Sequence, residues 1–328
     1  MKRKLRFWAG ILISVVGTVL AIRAVDFGEA WSALGQINYY PILVALAALV
    51  VTMATKALRW RLLFDLPKGC PPLTKVFSVL IIGQMFNLVL PLRMGEVARA
   101  YYIGEMTGIN KSLAISTVVV EKIVDMLAAL LLVVLLLPSV PFPSWLQGPV
   151  TSLAIVAVVA FMLLILIAWQ MSSFSILLTR FLAILPGSLR PQFIQAQVEK
   201  ALDGLRAVRE VRMLPVLLLT AAAWVFSALT NHFVFLALGV DLPLTASFFL
   251  LVILQVGVAV PTGPGRIGVF QYLTVLALAV FAVTAEKALA VGIVLYLLVH
   301  IPPIVMGLIF LWRYHLGLWR PQAVPEES

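Results

Sequence analysis

The sequence predicts an all-α fold, a polytopic helical bundle in a lipid bilayer, from three observations. Of its 328 residues, 62% are hydrophobic and only 12% are charged, whereas a soluble domain carries about a quarter charged residues. The apolar residues form long runs, and about 20 of them in a row are needed to cross the hydrocarbon core as a helix. These runs do not alternate with polar residues as the strands of a membrane barrel do. Lipid is therefore the expected solvent, and helices are the expected spanning elements.

The basic residues indicate orientation in the membrane. The chain has 24 Lys and Arg against 14 Asp and Glu, a formal net charge of +10. Basic residues of membrane proteins are retained on the cytoplasmic side, so this excess does not indicate a nucleic-acid partner, and none is expected. We expect a multi-pass protein of the bacterial or archaeal plasma membrane (inner membrane), with both termini in the cytoplasm.

No metal or cofactor is expected. The single cysteine, Cys70, excludes an internal disulfide. One cysteine and three separated histidines offer no metal-ligand spacing. The glycine-rich segment near residue 264 lacks the Lys-Ser/Thr ending and the preceding strand of a nucleotide-binding loop.

Six spanning helices are predicted within a single membrane domain, residues 1–328. They cover residues 7–25, 41–64, 112–137, 150–170, 213–239 and 288–312. The first could be a secretory signal, but its apolar part is long and Arg23 stands where a cleavage site needs small residues, so an uncleaved helix is favoured. The segment 186–212 has apolar residues at the helical period. It is either an amphipathic helix on the cytoplasmic surface or a connector packed on the bundle.

Two apolar stretches, residues 76–107 and 246–283, are too broken to be simple spans and predict re-entrant helical hairpins. The first breaks near Pro91 and Gly95, because proline removes a backbone donor and glycine frees the backbone. The breaking residues of the second are Pro261, Gly263, Pro264, Gly265 and Gly268. One hairpin entering from each side is typical of an inverted repeat, and the sequence alone leaves real duplication open.

The first candidate site follows the break in the first hairpin. Asn87 precedes the break, and Arg93, Glu96 and Arg99 follow at three-residue spacing, which puts them on one flank of a helix. Two guanidiniums suit a phosphate because each offers a planar fork of donors. The alternative is an ordinary cytoplasmic helix end, with Glu96 paired to a nearby arginine.

Three charged residues fall inside the third predicted span. Glu121, Lys122 and Asp125 lie at a depth where each charge costs at least about 2.5–3.5 kcal/mol, so they must face protein or water. Arg93 or Arg99 is expected to neutralise the two carboxylates across the bundle. They form either the lining of a polar pathway or a structural ion pair.

Arg266 lies in the break of the second hairpin, where the free amides of the following half-helix carry partial positive charge. Together they are expected to attract a phosphate or a carboxylate. The alternative is an external loop that merely turns the chain.

The remaining polar residues in helices are expected to anchor the helices or to hydrogen-bond between them. Arg59 and Arg61 are predicted to be headgroup anchors. Interhelical hydrogen bonding is favoured over proton transfer for Asn231 with His232 and for Tyr296 with His300.

The whole chain resembles the lysylphosphatidylglycerol synthase transmembrane family, also called the flippase-like or YbhN-type family. The resemblance rests on four segments: Ala-Leu-Arg-Trp-Arg at 57–61, residues 87–99, Val-Val-Val-Glu-Lys-Ile-Val-Asp at 118–125, and Val-Pro-Thr-Gly-Pro-Gly-Arg-Ile-Gly-Val-Phe at 260–270. It implies a role in lipid translocation. The cytosolic aminoacyl-transferase domain of larger members is absent, so lysyl transfer and an enzyme activity are not expected. Arg266 and Gln271 replace a glycine and a glutamate of the family pattern, which puts the family's lipid preference in doubt here.

These features favour a flippase-like lipid translocase, whose partner is a membrane phospholipid or a lipid-linked substrate. A polar headgroup needs a path across about 30 Å of hydrocarbon, and the seven candidate residues of the headgroup pathway are Asn87, Arg93, Glu96, Arg99, Glu121, Asp125 and Arg266. The alternatives are an intramembrane enzyme or accessory subunit acting on a polyprenyl phosphate or glycolipid, and a structural membrane partner. A homo-oligomer is compatible with each hypothesis.

Overall fold

The computed structural model describes seven segments of the chain and five single positions. The segments are residues 37–64, 70–89, 94–136, 138–140, 213–257, 264–266 and 268–316, and the single positions are 35, 148, 152, 155 and 159. The predicted first helix (7–25) and the cytoplasmic segment (186–212) lie outside them, as do Pro91, Arg93, Pro261 and Gly263. Of the predicted helix 150–170, three single positions are described, and all three are helical.

The described residues form eight α-helices and one 3₁₀ turn, without strands, so the prediction of an all-α fold is confirmed. The helices are α1 Tyr39–Leu62, α2 Leu73–Val89, α3 Gly95–Thr107, α4 Lys111–Leu136, α5 Met213–Ala237, α6 Leu244–Gly257, α7 Val269–Ala279 and α8 Ala285–Arg313, with the turn Pro264–Arg266 before α7.

Three of the described helices, α1, α5 and α8, are long and apolar enough to cross a membrane, with 24, 25 and 29 residues. They match the spans predicted at 41–64, 213–239 and 288–312. Helix α4 has 26 residues and matches the span predicted at 112–137, but it carries Glu121, Lys122 and Asp125. Large apolar side chains along α1, α4, α5 and α8 are exposed, which suits surfaces that contact lipid.

The two predicted hairpins are pairs of antiparallel helices. In the first, Lys75 at the start of α2 donates to the Met106 carbonyl near the end of α3, at 2.8 Å. In the second, Phe249 of α6 contacts Phe281, which follows α7, with ring centroids 5.8 Å apart. Their longest helix has 17 residues, about 25 Å, less than the hydrocarbon thickness. In each hairpin, the chain therefore turns back before either helix is long enough to span the membrane.

The packing supports an inverted repeat of α1–α4 and α5–α8. The first helices, α1 and α5, are antiparallel, because the Asn38 amide donates to the Ala237 carbonyl at 2.9 Å at one end and Arg59 reaches Thr220 at the other. In each unit the first helix packs on the first hairpin helix, and the last helix packs on the second. Across the units, α4 packs on α6 and α8 packs on α2. Both hairpins also begin with Pro-Leu-Thr, at 72–74 and 243–245.

The two helices of the first hairpin approach each other closely at two glycines. A Cβ added to Gly95 would collide with the Gly83 carbonyl oxygen and would lie 2.7 Å from the Asn87 backbone nitrogen. A Cβ added to Gly83 would collide with the Arg99 side chain. The φ of Gly95 is not positive, so glycine is required there by the close approach of α2 and α3. The role predicted for Gly95, freeing the backbone, is thus replaced by a packing role.

We expect Gly95→Ala to lower the free energy of unfolding by about 1–3 kcal/mol, because the added methyl group must push two backbones apart. Thermal unfolding in detergent measures the change. Gly148→Ala is the matched control, since no atom of the described residues lies within 4 Å of the position that the added methyl group would take there. Equal stability of both variants with the wild type would contradict the close approach.

Candidate functional site

Glu121 lies at the centre of a buried charged cluster formed by α1, α3, α4 and α5. Its carboxylate accepts hydrogen bonds from Arg99 of α3, at 2.7 Å from Nη2 and 3.3 Å from Nη1. Arg59 of α1 approaches the same carboxylate, with Nη2 at 3.2 Å from Oε1. Only 4% of the Glu121 side chain is exposed. Two guanidiniums thus neutralise a carboxylate that would otherwise be costly at this depth.

Asp125, one helical turn after Glu121, is bound by both terminal nitrogens of Arg59. The distances are 2.5 Å from Nη1 to Oδ1 and 3.0 Å from Nη2 to Oδ2, a bidentate geometry that only a guanidinium offers. Arg59 also donates to the Thr220 hydroxyl of α5 at 3.1 Å. The Asp125 side chain remains 23% exposed, so this carboxylate forms the accessible edge of the cluster.

The interpretation of Arg59 as a headgroup anchor is wrong. Its side chain is fully buried and connects α1 to α4 and α5. Arg61, on another face of α1, donates to the Pro71 carbonyl at 2.9 Å and is half-buried. The signal that could have identified Arg59 is the presence of two carboxylates, Glu121 and Asp125, in one span, since they require more than one cation.

An aromatic support holds Arg99 in place. Its guanidinium lies over the Trp60 ring, 4.1 Å from the centroid, a favourable cation–π contact. Trp60 donates from Nε1 to the Thr117 hydroxyl at 3.0 Å. The stem of Arg99 crosses α2 at Gly83, where a side chain would block it. The prediction that Arg93 or Arg99 neutralises the two carboxylates is confirmed for Arg99 with Glu121, whereas the partner of Asp125 is Arg59.

A second ion pair lies at the rim of the cluster. Glu96 of α3 pairs with Lys122 of α4 at 2.8 Å, with side chains 22% and 42% exposed. Glu96 therefore pairs with a lysine of the neighbouring helix α4. Glu96 and Arg99 were expected on one flank, but Arg99 enters the core while Glu96 remains at the rim. Arg93 falls outside the described residues.

Asn87 lies at the end of α2, beside the first residue of α3. Its Oδ1 is buried and has no hydrogen-bond partner within the described part of the chain. This oxygen would lie 2.7 Å from a Cβ added at Gly95. Asn87 thus places a polar group at the closed end of the first hairpin.

The break of the second hairpin is fixed by α8. Tyr296 donates its hydroxyl hydrogen to the Gly265 carbonyl at 2.7 Å. Gly265, Arg266 and Gly268 all have positive φ, at 72°, 57° and 83°, a region that costs little for glycine and more for arginine. Gln271 caps the start of α7 by accepting from the Gly268 amide at 2.8 Å. The backbone is therefore bent as predicted, with Arg266 partly exposed.

A ring cluster supports Tyr296. The His300 ring stacks on Tyr296 with centroids 4.0 Å apart, and Phe270 of α7 meets both rings edge-on at 5.6 Å. In α5, Asn231 donates to the Ser247 carbonyl of α6 at 3.1 Å. Tyr296 and Asn231 therefore make interhelical hydrogen bonds, the interpretation favoured from the sequence.

The two hairpins meet, because the turn Pro264–Arg266 packs on α2. The structure thus brings the broken end of the second hairpin to the first hairpin. The charged cluster around Glu121 lies between α1, α3, α4 and α5, with the Glu96–Lys122 pair at its rim.

Comparison with known proteins gives a family match over most of the chain. The family model described as lysylphosphatidylglycerol synthase TM region matches residues 7–307. The glycosyltransferase AglD of Haloferax volcanii is 25% identical over 323 residues, covering 89% of this chain and 51% of that protein. A UPF0104 membrane protein of Methanocaldococcus jannaschii is 24% identical over 230 residues, covering 70% of this chain and 94% of that protein. The chain therefore spans about half the length of the glycosyltransferase and nearly all of the second relative.

We expect Glu121→Gln to destabilise the protein by about 3–5 kcal/mol, because it leaves buried guanidiniums without their carboxylate. Unfolding in detergent, monitored by tryptophan fluorescence, measures the loss. The matched control is Glu105→Gln, which removes the same charge from an exposed pair with Lys111 (2.6 Å, side chains 48% and 46% exposed) and should change stability little. Similar losses in the two variants would refute a stabilising role for the buried cluster.

We expect Tyr296→Phe to speed amide exchange in the second hairpin by roughly 5-fold, since it removes one neutral hydrogen bond. Hydrogen–deuterium exchange across the end of α6, the 3₁₀ turn and the start of α7 measures the effect. Tyr272→Phe on α7 is the control. An unchanged rate in Tyr296→Phe would show that the Tyr296 hydroxyl does not hold the break.

Proposed function

This chain belongs to the lysylphosphatidylglycerol synthase TM region family, and on that premise we propose that it moves a phosphate-bearing polar lipid between the leaflets of the membrane. It is a multi-pass membrane protein with several apolar helices. The lipid headgroup would pass through the protein while its acyl chains remain in the bilayer. In this proposal the cell membrane is the location and both termini face the cytoplasm.

The observation that carries the proposal is the charged cluster inside an otherwise apolar bundle. Glu121, Arg59 and Arg99 are nearly or wholly buried, and charges at membrane depth are expensive and are generally retained for function. The edge of the cluster stays accessible at Asp125 and at the Glu96–Lys122 pair. A headgroup can contact this edge without the fully buried core being dismantled.

The breaks in the two hairpins supply the conformational change that the proposal requires. The break in the second hairpin rests on the 2.7 Å hydrogen bond from Tyr296 to Gly265, and that break packs on α2 of the first hairpin. Hairpins that face each other in an inverted arrangement are typical of transporters that alternate access to a central site. Opening one hairpin at a time would expose the headgroup to one leaflet at a time.

The proposed roles differ between residues. Glu121 and Asp125 keep Arg59 and Arg99 paired and positioned, and Glu96 balances Lys122. Arg266, which is partly exposed at the second break, would bind the phosphate from the second half of the protein. Arg93 would bind it from the first half. Asn87 offers a hydrogen-bonding group beside the first break.

A second candidate follows from the relative named as a glycosyltransferase. In that alternative the chain is an intramembrane enzyme or accessory subunit acting on a polyprenyl phosphate or glycolipid, with Glu121 or Asp125 as base or metal ligand. The geometry favours translocation over this role, because both carboxylates are held by guanidiniums at hydrogen-bonding distance. A chemical change in the lipid, detected by mass spectrometry after incubation with the purified protein, would favour the enzyme.

We expect reconstituted protein to exchange fluorescent phospholipids between leaflets, and Arg93→Ala with Arg266→Ala to slow exchange at least about 10-fold, because each lost charge-assisted phosphate contact contributes about 1.5–3 kcal/mol. The measurement is dithionite quenching of liposomes that contain lipids of several headgroups.

The matched control is Lys111→Ala with Arg313→Ala, which also removes two positive charges, both from exposed positions. It should exchange lipid at the wild-type rate. Wild-type protein that exchanges no lipid above empty liposomes would exclude translocation of the lipids used and favour the enzyme or accessory subunit.

A further inference from the structure

Two ion pairs join α3 to the antiparallel helix α4, and they lie at different depths. The outer pair, Glu105 with Lys111 at 2.6 Å, lies where the chain passes from one helix to the other. The inner pair is Glu96 with Lys122 at 2.8 Å. Lys122 lies about 16 Å further along α4 than Lys111, which is about half the thickness of the hydrocarbon core. The inner pair is therefore at membrane depth.

The inner pair is open to the bilayer on the side of Lys122. The Lys122 side chain is 42% exposed and that of Glu96 is 22% exposed. Val119 and Met126 lie one turn before and one turn after Lys122, on the same face of α4, and are 48% and 52% exposed. Such apolar side chains suit contact with lipid, so the ammonium interrupts a lipid-facing surface. A lipid of the surrounding bilayer can therefore reach the pair laterally.

The inner pair is also held less firmly than the buried ion pairs. Glu121 is approached by two guanidiniums, and Asp125 is bound by both terminal nitrogens of a third-helix partner's arginine fork on α1. Lys122 approaches Glu96 as a point charge, without the planar fork of a guanidinium. A partly exposed ion pair of this kind contributes little to stability. Its members can therefore change partners at a lower cost than the buried pairs.

We propose that the Glu96–Lys122 pair is the lateral entry site for a zwitterionic aminophospholipid, whose phosphate pairs with Lys122 while its ammonium pairs with Glu96. The inference rests on the proposed function and names its substrate class. One ion pair is exchanged for two, so no charge is left unpaired at membrane depth. An anionic headgroup would pair with Lys122 and leave Glu96 without a cation, which is costly there. A primary ammonium also donates hydrogen bonds to the carboxylate, which a quaternary ammonium cannot do.

The exposed face of α4 indicates a membrane lipid as the source of this headgroup. The acyl chains would lie in the bilayer against Val119 and Met126, which flank Lys122. The soluble ester glycerophosphoethanolamine carries the same two charges but has no acyl chains to make these contacts. We therefore expect the lipid to bind more tightly than the ester.

The test measures binding to the full-length protein in detergent by native mass spectrometry, with phosphatidylethanolamine, phosphatidylcholine, phosphatidylglycerol and glycerophosphoethanolamine. Wild type should prefer phosphatidylethanolamine. Lys122→Met should bind it at least about 10-fold more weakly, because the phosphate contact is lost. Glu96→Gln leaves Lys122 without its carboxylate, so its preference should reverse in favour of phosphatidylglycerol.

The outer pair provides the matched controls. Glu105→Gln and Lys111→Met remove the same charges from an exposed pair of the same two helices, and both should keep the wild-type preference. The double variant Glu96→Lys with Lys122→Glu restores a neutral pair with its charges exchanged. It should recover the preference for phosphatidylethanolamine over phosphatidylglycerol.

Four results would overturn the proposal. Phosphatidylethanolamine affinity in Lys122→Met equal to wild type would show that Lys122 is not the phosphate ligand. A Glu96→Gln variant that still prefers phosphatidylethanolamine would show that Glu96 does not bind the ammonium. Equal weakening for all lipids, with a lowered unfolding temperature, would make the pair structural. Binding of the soluble ester as tight as that of the lipid would identify a soluble ligand as the occupant.

Binding and leaflet exchange separate this inference from the proposed function. Binding of phosphatidylethanolamine that depends on Lys122, without exchange in liposomes, would support the entry site and reject translocation. Exchange that does not discriminate between phosphatidylethanolamine and phosphatidylglycerol, and is unaffected by Lys122→Met, would support translocation and reject the entry site.

Discussion

The Glu121 carboxylate is the constraint on which the first half of the structure depends. A carboxylate inside an apolar bundle requires cations in place of water, and the nearest come from two other helices, Arg59 of α1 and Arg99 of α3. Arg99 can reach it only because α3 folds back on α2, and this return requires the close glycine contact between Gly83 and Gly95. The hairpin, the two glycines and the ion pairs together therefore offset the desolvation cost of burying one carboxylate.

The two halves share a packing arrangement but are held by different forces. The first hairpin is attached to its neighbours by buried ion pairs around Glu121, whose loss leaves unpaired charges and costs about 3–5 kcal/mol. Among the described contacts, the second is attached by neutral hydrogen bonds, from Tyr296 to Gly265 and from Asn231 to Ser247, which contribute about 0.5–1.5 kcal/mol each. If one hairpin opens first, this difference favours the second.

The sequence predicted the secondary-structure elements better than it predicted the partners of their charged side chains. Hydropathy and helix-breaking residues determined the all-α class, four of the long helices and both helical hairpins, because solvation and backbone chemistry are local properties. The pairing of Arg99 with Glu121 was also anticipated, since a membrane carboxylate needs a cation. Arg59 was misassigned as an anchor because its distance from the helix end suggested snorkelling, and only the rotation of α1 in the bundle directs it inward. The partner of Glu96 was missed for the same reason, since Lys122 becomes its neighbour only after α3 packs on α4.

Charge balance also limits how a headgroup could move. On the proposed function, a headgroup meets the cluster at its partly exposed edge, where Asp125 and the Glu96–Lys122 pair lie, and the buried ion pairs stay intact. A phosphate would then be held by a cation outside those buried pairs, and in the proposal Arg266 on the second hairpin, which is partly exposed, has that role. Because a buried carboxylate that loses its cation is costly, the headgroup has to pass without displacing Arg59 or Arg99, and this confines its path to the edge of the cluster.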